Sequence, residues 1–223
     1  IRERSPSRGL GDVYKRQPLR KYLRHIFLLH PNIVVIYDEL EADKAVNWDW
    51  LLHSPVKFDI DVSTATLTTK DKTNRYKSVA RLFSEQKCMI TQTDKFAAPP
   101  NQKNAVRGED FTAPWSLTAS FGPGKKNRIL TIIQIEADGN NAVEIFHSDG
   151  NNFQCGDWAI NAELDTKRPA SLFIHNDKSQ ATFSYGKAKP VINGKVYECK
   201  DKYASILYDR FNDKWETKEM KDK

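Results

Sequence analysis

The sequence predicts an all-β protein that folds as a large antiparallel β-sandwich over residues 18–223. Segments rich in β-branched and aromatic residues recur about every ten residues, with turn-forming residues between them. No segment offers a convincing long amphipathic helix. The pair Asn193-Gly194 lies between two apolar pairs and favours a two-residue hairpin turn, because both residues tolerate positive φ.

The first predicted strands show the pattern most clearly. Residues 22–29 form a strand candidate that ends at the turn-forming residues 30–32. The strand predicted over 32–40 contains a continuous apolar run at 33–37, which is typical of a strand buried on both faces. Residues 45–53 alternate, with two tryptophans and other apolar residues on one face, which predicts a half-buried strand.

Later segments continue the alternation and are separated by turn signals. The long segment 94–114 contains three prolines and few apolar residues, so we predict a loop there. Gly122-Pro123-Gly124 is predicted to be a turn, and the lysine-rich 214–223 to be frayed or a short helix. The remaining predicted strands are 58–62, 79–83, 89–93, 116–121, 128–136, 142–146, 171–175, 180–185, 190–198 and 204–208.

Residues 1–17 differ in kind from the rest of the chain. They resemble translated library-adaptor sequence, and we expect them to be a disordered, non-native tail on a fragment of a longer protein. The tail holds five basic and two acidic groups, which is half of the net charge of +6. The remaining positive charge alternates with Asp, Asn and Thr in turn-like stretches, so no nucleic-acid partner is predicted.

Several other functions find no support in the sequence. The three cysteines are far apart and odd in number, which predicts buried free thiols and no disulfide framework. No apolar run approaches the roughly 18 residues of a membrane span. The sequence contains no GxSxG, P-loop or dinucleotide-binding glycine motif.

Two stretches carry a resemblance to a known family. Residues 33–42 read IVVIYDELEA and 50–54 read WLLHS, after a strand that bears Arg24. They resemble the first strands of the β-sandwich in heparinase II/III-like polysaccharide lyases, particularly those of the Bacteroidetes group. A weaker likeness covers 115–119 (WSLTA) and 128–134 (RILTIIQ), so the resemblance extends from about residue 18 to about residue 136.

The resemblance implies an architecture and an activity. These lyases join an N-terminal α/α toroid to a C-terminal β-sandwich and cleave acidic, uronic-acid-containing polysaccharides by β-elimination. The toroid would then be a missing partner of this chain, which would be inactive alone, and the catalytic residues are expected upstream. A periplasmic or secreted location is likewise an expectation from the family.

The resemblance also implies a structural zinc ion. It assigns metal ligation to Asp38 and His53, with the third ligand expected on an upstream strand that this chain does not match. A strand-end aspartate that accepts hydrogen bonds and a core histidine are the plainer interpretation, because a structural zinc site takes four ligands. His25 and His30 are alternative ligands.

Trp115 and Trp158 are the candidate substrate-binding residues. Both lie beside polar residues or glycine, so their rings could stack on sugars. Packing of an amphipathic ring in the core or against a turn is the alternative. Trp48 and Trp50 alternate with Asp49 and are predicted to belong to the core.

Two hypotheses about function follow. The first is the C-terminal sandwich of a lyase that acts on glycosaminoglycan-like polymers. The second is a non-catalytic β-sandwich that binds carbohydrate or has a purely structural role.

Overall fold

The computed structural model describes residues 18–73, 75–95, 114–136, 145–176, 178, 181–186, 191–192, 195–196, 204–209 and 214–219. The predicted adaptor tail lies outside the described residues, as do most of the predicted loop 94–114 and the turn residues Asn193-Gly194. Every regular element within the described ranges is a β-strand, and every pairing is antiparallel. The predicted all-β, antiparallel fold class is confirmed.

The first sheet contains seven strands from the N-terminal part of the chain. They are β1 (Leu19–Leu29), β2 (Ile33–Ser54), β3 (Asp59–Asp61), β4 (Thr66–Lys70), β5 (Lys77–Phe83), β6 (Cys88–Thr93) and β7 (Trp115–Glu136). The order is β1-β2-β7-β5-β4-β3, and β6 pairs with the first half of β7. The long strands β2 and β7 therefore form the centre of this sheet.

The second sheet also contains seven strands. They are β8 (Ile145–Asp149), β9 (Asn152–Cys155), β10 (Trp158–Ala162), β11 (Ser171–Asn176), β12 (Ala181–Gly186), β15 (Ala204–Asp209) and β16 (Lys214–Glu219), in the order β16-β15-β12-β11-β10-β9-β8. The short strands β13 (Val191–Ile192) and β14 (Lys195–Val196) pair with each other, which confirms the hairpin predicted around Asn193-Gly194.

Two hydrophobic cores stabilise this arrangement. The first lies between the sheets, where residues of β2 and β7 such as Val35 and Ile132 pack with residues of the second sheet such as Leu172 and Ile174. The second is formed within the first sheet by Trp48 and neighbouring apolar side chains. The alternation along the strands supplies one apolar face for each core.

Strands β2 and β7 are each continuous where the sequence predicted two separate strands. Gly122-Pro123-Gly124, predicted to be a turn, lies inside β7 opposite an irregular segment of β2. The pairing register shifts between Glu41 and Val46 and again between Val46 and Trp48. Extra residues of this kind bend a strand without ending it. The strands can therefore bend, and the first sheet can curl around its own core.

Burial corrects other expectations. The run 33–37 is not buried on both faces, because Val34 and Ile36 are only half-buried while their neighbours lie in the intersheet core. The segment predicted to be frayed or helical contains β16, and β4, β9 and β10 were not predicted. Trp48 and Trp50 belong to the core as predicted.

The cysteines that the structure describes have free thiols. Cys155 is buried and Cys88 half-buried, and Cys199 lies outside the described residues. Burial raises the pKa of the Cys155 thiol to about 11, so it is protonated at neutral pH. A search of the described residues for a helix long and apolar enough to cross a membrane finds none.

Candidate functional site

Asp38, a predicted metal ligand, is buried in the middle of the first half of β2. Only 1% of its side chain is exposed. Arg24 lies opposite it on β1 and donates two hydrogen bonds, from Nε to Oδ1 at 2.6 Å and from Nη2 to Oδ2 at 2.8 Å. A bidentate guanidinium is among the strongest partners that a carboxylate finds in a protein. The buried charge of Asp38 is thereby compensated within the chain.

His53, the other predicted ligand, lies near the far end of the same strand. It is exposed, and its Nε2 is 3.3 Å from the hydroxyl of Ser116 on β7. Asp38 pairs instead with Ile129, in the other half of β7 beyond the bulged segment. The structure therefore does not bring Asp38 and His53 together, because both belong to one continuous strand and lie on the two sides of its bulged segment.

A zinc ion does not fit these residues as they are placed. Both oxygens of Asp38 accept from Arg24, and among the described residues no group of three His, Cys, Asp or Glu side chains could hold a metal. The alternative ligands do not change this result. His30 is exposed at the end of β1, and His25 faces the second sheet, away from Asp38. Zinc binding by this chain stays a prediction.

The two candidate sugar-stacking tryptophans are both half-buried. Trp115 packs against the second core, and the ammonium of Lys57 lies 5.3 Å from its ring centre. Trp158 packs against the intersheet core and donates through Nε1 to the carbonyl of His30 at 3.3 Å. Neither ring is fully exposed for stacking on a sugar, and the two rings pack against different cores. Their role in binding sugars stays a prediction.

A cleft of about 780 Å³ opens where the two sheets meet. One side is formed by the end of β5 and the turn after it, and the other by the β8–β9 turn and the segment 163–168. The aromatic rings of Phe83, His147 and Phe153 pack together along the cleft with centroids 4.6 to 5.7 Å apart; His147 and Phe153 are stacked, and Phe83 is tilted against both. The charged side chains that line it are Arg81, Glu85, Lys87, Glu163, Asp165 and Arg168.

Arg81 and Arg168 differ in how firmly they are held. The Arg81 guanidinium donates to the carbonyls of Ile145 at 3.0 Å and Thr64 at 3.3 Å, so it fixes one wall. The Arg168 side chain is 67% exposed and lies 3.5 to 3.6 Å from the carboxylates of Asp165 and Glu163. The ion pairs are long and the guanidinium itself is exposed, so they hold it weakly and Arg168 can turn toward a ligand.

The segment 163–168 is held in place from the first sheet. The buried guanidinium of Arg128 donates to the carbonyls of Asp165 at 2.7 Å and Arg168 at 2.8 Å, and more weakly to that of Glu163 at 3.4 Å. Tyr37 donates its hydroxyl proton to the same Glu163 carbonyl at 2.7 Å. Burial raises the pKa of Tyr37, so the hydroxyl stays a donor. The cleft wall is therefore fixed by β2 and β7.

A second polar cluster lies between β1, β2 and β12. Tyr185 donates to Glu39 at 3.0 Å, and the ammonium of Lys21 lies 2.6 Å from the other oxygen of the same carboxylate. The ring of His25 lies 4.0 Å from that of Tyr185, and its Nε2 is buried without a hydrogen-bond partner among the described residues. Burial lowers the pKa of His25, while Glu39 raises it and Lys21 lowers it. The neutral imidazole is therefore favoured.

Comparison with known proteins gives a structural match. No family model matches the chain, and no curated protein sequence matches it. A solved structure of heparinase III aligns with a TM-score of 0.51 and 12% sequence identity, over 76% of this chain. The chain shares its fold with part of heparinase III. It spans about a quarter of that protein's length, since the alignment covers 24% of the heparinase III chain.

The residues of the cleft were not predicted from the sequence. The only local signal is the charged run at 163–168, in which Leu164 is the one apolar residue. Arg81 and Arg128 are basic residues next to apolar residues of their strands, a pattern that suggests an internal partner without naming it. Their partners lie far away in the sequence, so no spacing rule could find them.

Proposed function

We propose that this chain is the β-sandwich part of a polysaccharide lyase that cleaves uronic-acid-containing, glycosaminoglycan-like glycans by β-elimination. The observation that carries the proposal is the shared fold with heparinase III. The likeness of residues 33–42 and 50–54 to heparinase II/III-like lyases supports it, because a local sequence pattern and a backbone alignment are separate kinds of similarity. The chemistry would need residues of the longer protein, including its helical toroid, in a periplasmic or secreted setting.

The reaction sets requirements that a sandwich can meet in part. A base removes the proton at C5 of the uronate, the carboxylate is neutralised by a cation or hydrogen-bond donors, and an acid protonates the leaving oxygen. Arg168 is a cation of the described surface that could pair with a uronate carboxylate, since its present ion pairs are long and exposed. Trp115 and Trp158 remain proposed sugar contacts, through the parts of their rings that are not buried.

The test uses the complete natural polypeptide that contains this chain. Heparin, chondroitin and alginate are offered, and the unsaturated uronate product is followed by its ultraviolet absorbance. Formation of this product from at least one polymer is the expected result. A folded, complete protein that gives no absorbance change with any of them would overturn the lyase proposal.

A second candidate function is carbohydrate binding without catalysis, and the cleft favours it. The cleft combines aromatic rings, hydrogen-bonding groups and equal numbers of cationic and carboxylate side chains. Ligand pockets use this mixture. The cleft suits a polar sugar with a single carboxylate better than a polyphosphate, because its charges are balanced.

Titration calorimetry of this chain with acidic oligosaccharides separates the two candidates. Micromolar binding favours the binding module, and Arg168→Ala should weaken it by about tenfold, equivalent to roughly 1.4 kcal/mol. The matched control is Arg20→Ala, because the Arg20 side chain is also 67% exposed and ion-paired but lies on β1. Absence of binding, or equal loss in both variants, would remove the cleft from consideration.

A further inference from the structure

We propose that Arg24 replaces a metal ion as the permanent counter-charge of Asp38, so that the first sheet of this chain is stable without zinc. The inference concerns the sandwich itself and holds whether or not the longer protein is a lyase. It follows from the contacts of Asp38, from the apolar side chains around it, and from the way Arg24 is held.

Both oxygens of the Asp38 carboxylate already accept a hydrogen bond from a cationic side chain. Nε and Nη2 of Arg24 approach the two oxygens separately, at 2.6 and 2.8 Å. A zinc ion bound to either oxygen would lie within a few ångströms of the guanidinium, and like charges at that range in a buried position repel strongly. Zinc and Arg24 therefore compete for Asp38.

The described residues around Asp38 offer no second or third ligand. Its cross-strand neighbours are Arg24 on one side and Ile129 on the other. The residues two positions away on its own strand, which share its face, are Ile36 and Leu40. A structural zinc site needs four donors, and a lone carboxylate among apolar neighbours binds the ion weakly.

Arg24 is itself held in the position that this role requires. Its guanidinium lies 5.7 Å from the ring centre of Tyr22 on the same face of β1, and its side chain is 34% exposed. The hydrogen bond to Asp38 is the first cause of a raised pKa for Arg24, so the guanidinium keeps its charge. The pair joins β1, an edge strand, to the centre of the sheet.

The test begins with the chain purified in zinc-containing buffer without chelator. Elemental analysis should find that the zinc bound through Asp38 amounts to well below one ion per chain. Addition of a chelator should leave the midpoint of thermal unfolding unchanged. One zinc per chain that Asp38→Asn abolishes, with a midpoint that falls on chelation, would overturn the proposal. These measurements on the wild type decide the question even if a variant fails to fold.

Variants then test the role given to Arg24. Arg24→Met should lower the midpoint by about 5 °C, because it leaves Asp38 buried and unpaired. The double change Arg24→Met with Asp38→Leu should recover most of that loss. The matched control is Arg20→Met on the same strand, whose exposed pair with Asp43 contributes little, so its midpoint should not move. Equal effects of Arg24→Met and Arg20→Met would also refute the proposal.

Discussion

Replacing Arg128 by methionine should destabilise the protein and loosen one wall of the cleft. Arg128 is 6% exposed, and its two short hydrogen bonds reach the carbonyls of Asp165 and Arg168 at 2.7 and 2.8 Å. Hydrogen bonds from a charged donor contribute about 1.5–3 kcal/mol each. Methionine fills a similar volume and removes a costly buried charge, which offsets part of the loss. We expect a net cost of about 3 kcal/mol.

The assay is thermal unfolding, with hydrogen exchange as a local readout. For a protein of this size, about 3 kcal/mol corresponds to a fall in the unfolding midpoint of roughly 6–12 °C. The amide of Arg168, which donates to the Asp165 carbonyl at 3.1 Å, should exchange faster in the variant than in the wild type. Arg128→Lys is the control, since it keeps the charge but loses the planar guanidinium that reaches several carbonyls. The unfolding midpoint of Arg128→Lys should lie between those of the wild type and Arg128→Met.

Two results would refute this reasoning. If Arg128→Met shifts stability by less than about 0.5 kcal/mol, the size of an ordinary surface substitution, then Arg128 does not hold the segment 163–168. An unchanged exchange rate at Arg168 would lead to the same conclusion. Loss of stability without faster local exchange would mean that the hydrogen bonds support the global fold and not the cleft wall.

Three further predictions concern substitutions of single residues. Tyr37→Phe removes a buried hydrogen bond and should cost about 1–2 kcal/mol in urea unfolding, whereas an unchanged midpoint would mean that the bond contributes nothing. Burial lowers the pKa of His25 next to Glu39 and Lys21, so the unfolded state binds the proton more readily. Wild-type stability should therefore fall as the pH drops below about 6.5, while His25→Phe should lack that decline, and parallel pH profiles would contradict this. Gly186→Ala should cost about 2 kcal/mol or more, because φ is +73° and a Cβ would collide with a neighbouring backbone; a variant as stable as wild type by calorimetry would count against the strain.

Local pattern sufficed for the fold class and for much of the core. Alternation along 45–53 correctly predicted that Trp48 and Trp50 are buried, because the side-chain period of a strand is a local property. The hairpin at Asn193-Gly194 was predicted correctly for the same reason, since its turn chemistry resides in two residues. Strand ends were less predictable, because Gly122-Pro123-Gly124 reads as a turn and yet lies within a bulged strand.

The candidate site was harder to predict than the fold. The sequence singled out Asp38 as a metal ligand or an aspartate that accepts hydrogen bonds, and the structure buries it almost completely against such a donor. It could not identify Arg24 as that donor, because the pairing depends on the register of β1 against β2. The separation of Asp38 from His53 depends likewise on whether the chain turns or continues between them.

By itself, then, the sequence determined the all-β class, the buried face of 45–53 and the likeness to a lyase family. Tertiary structure alone decided that β2 runs continuously, that Arg24 neutralises Asp38, and that Arg81 and Arg168 line one cleft. The physical reason is the separation along the chain over which each effect acts. Alternation and turn preference act over a few residues, whereas ion pairs and clefts depend on register, bulges and the packing of two sheets, which join residues distant in the chain.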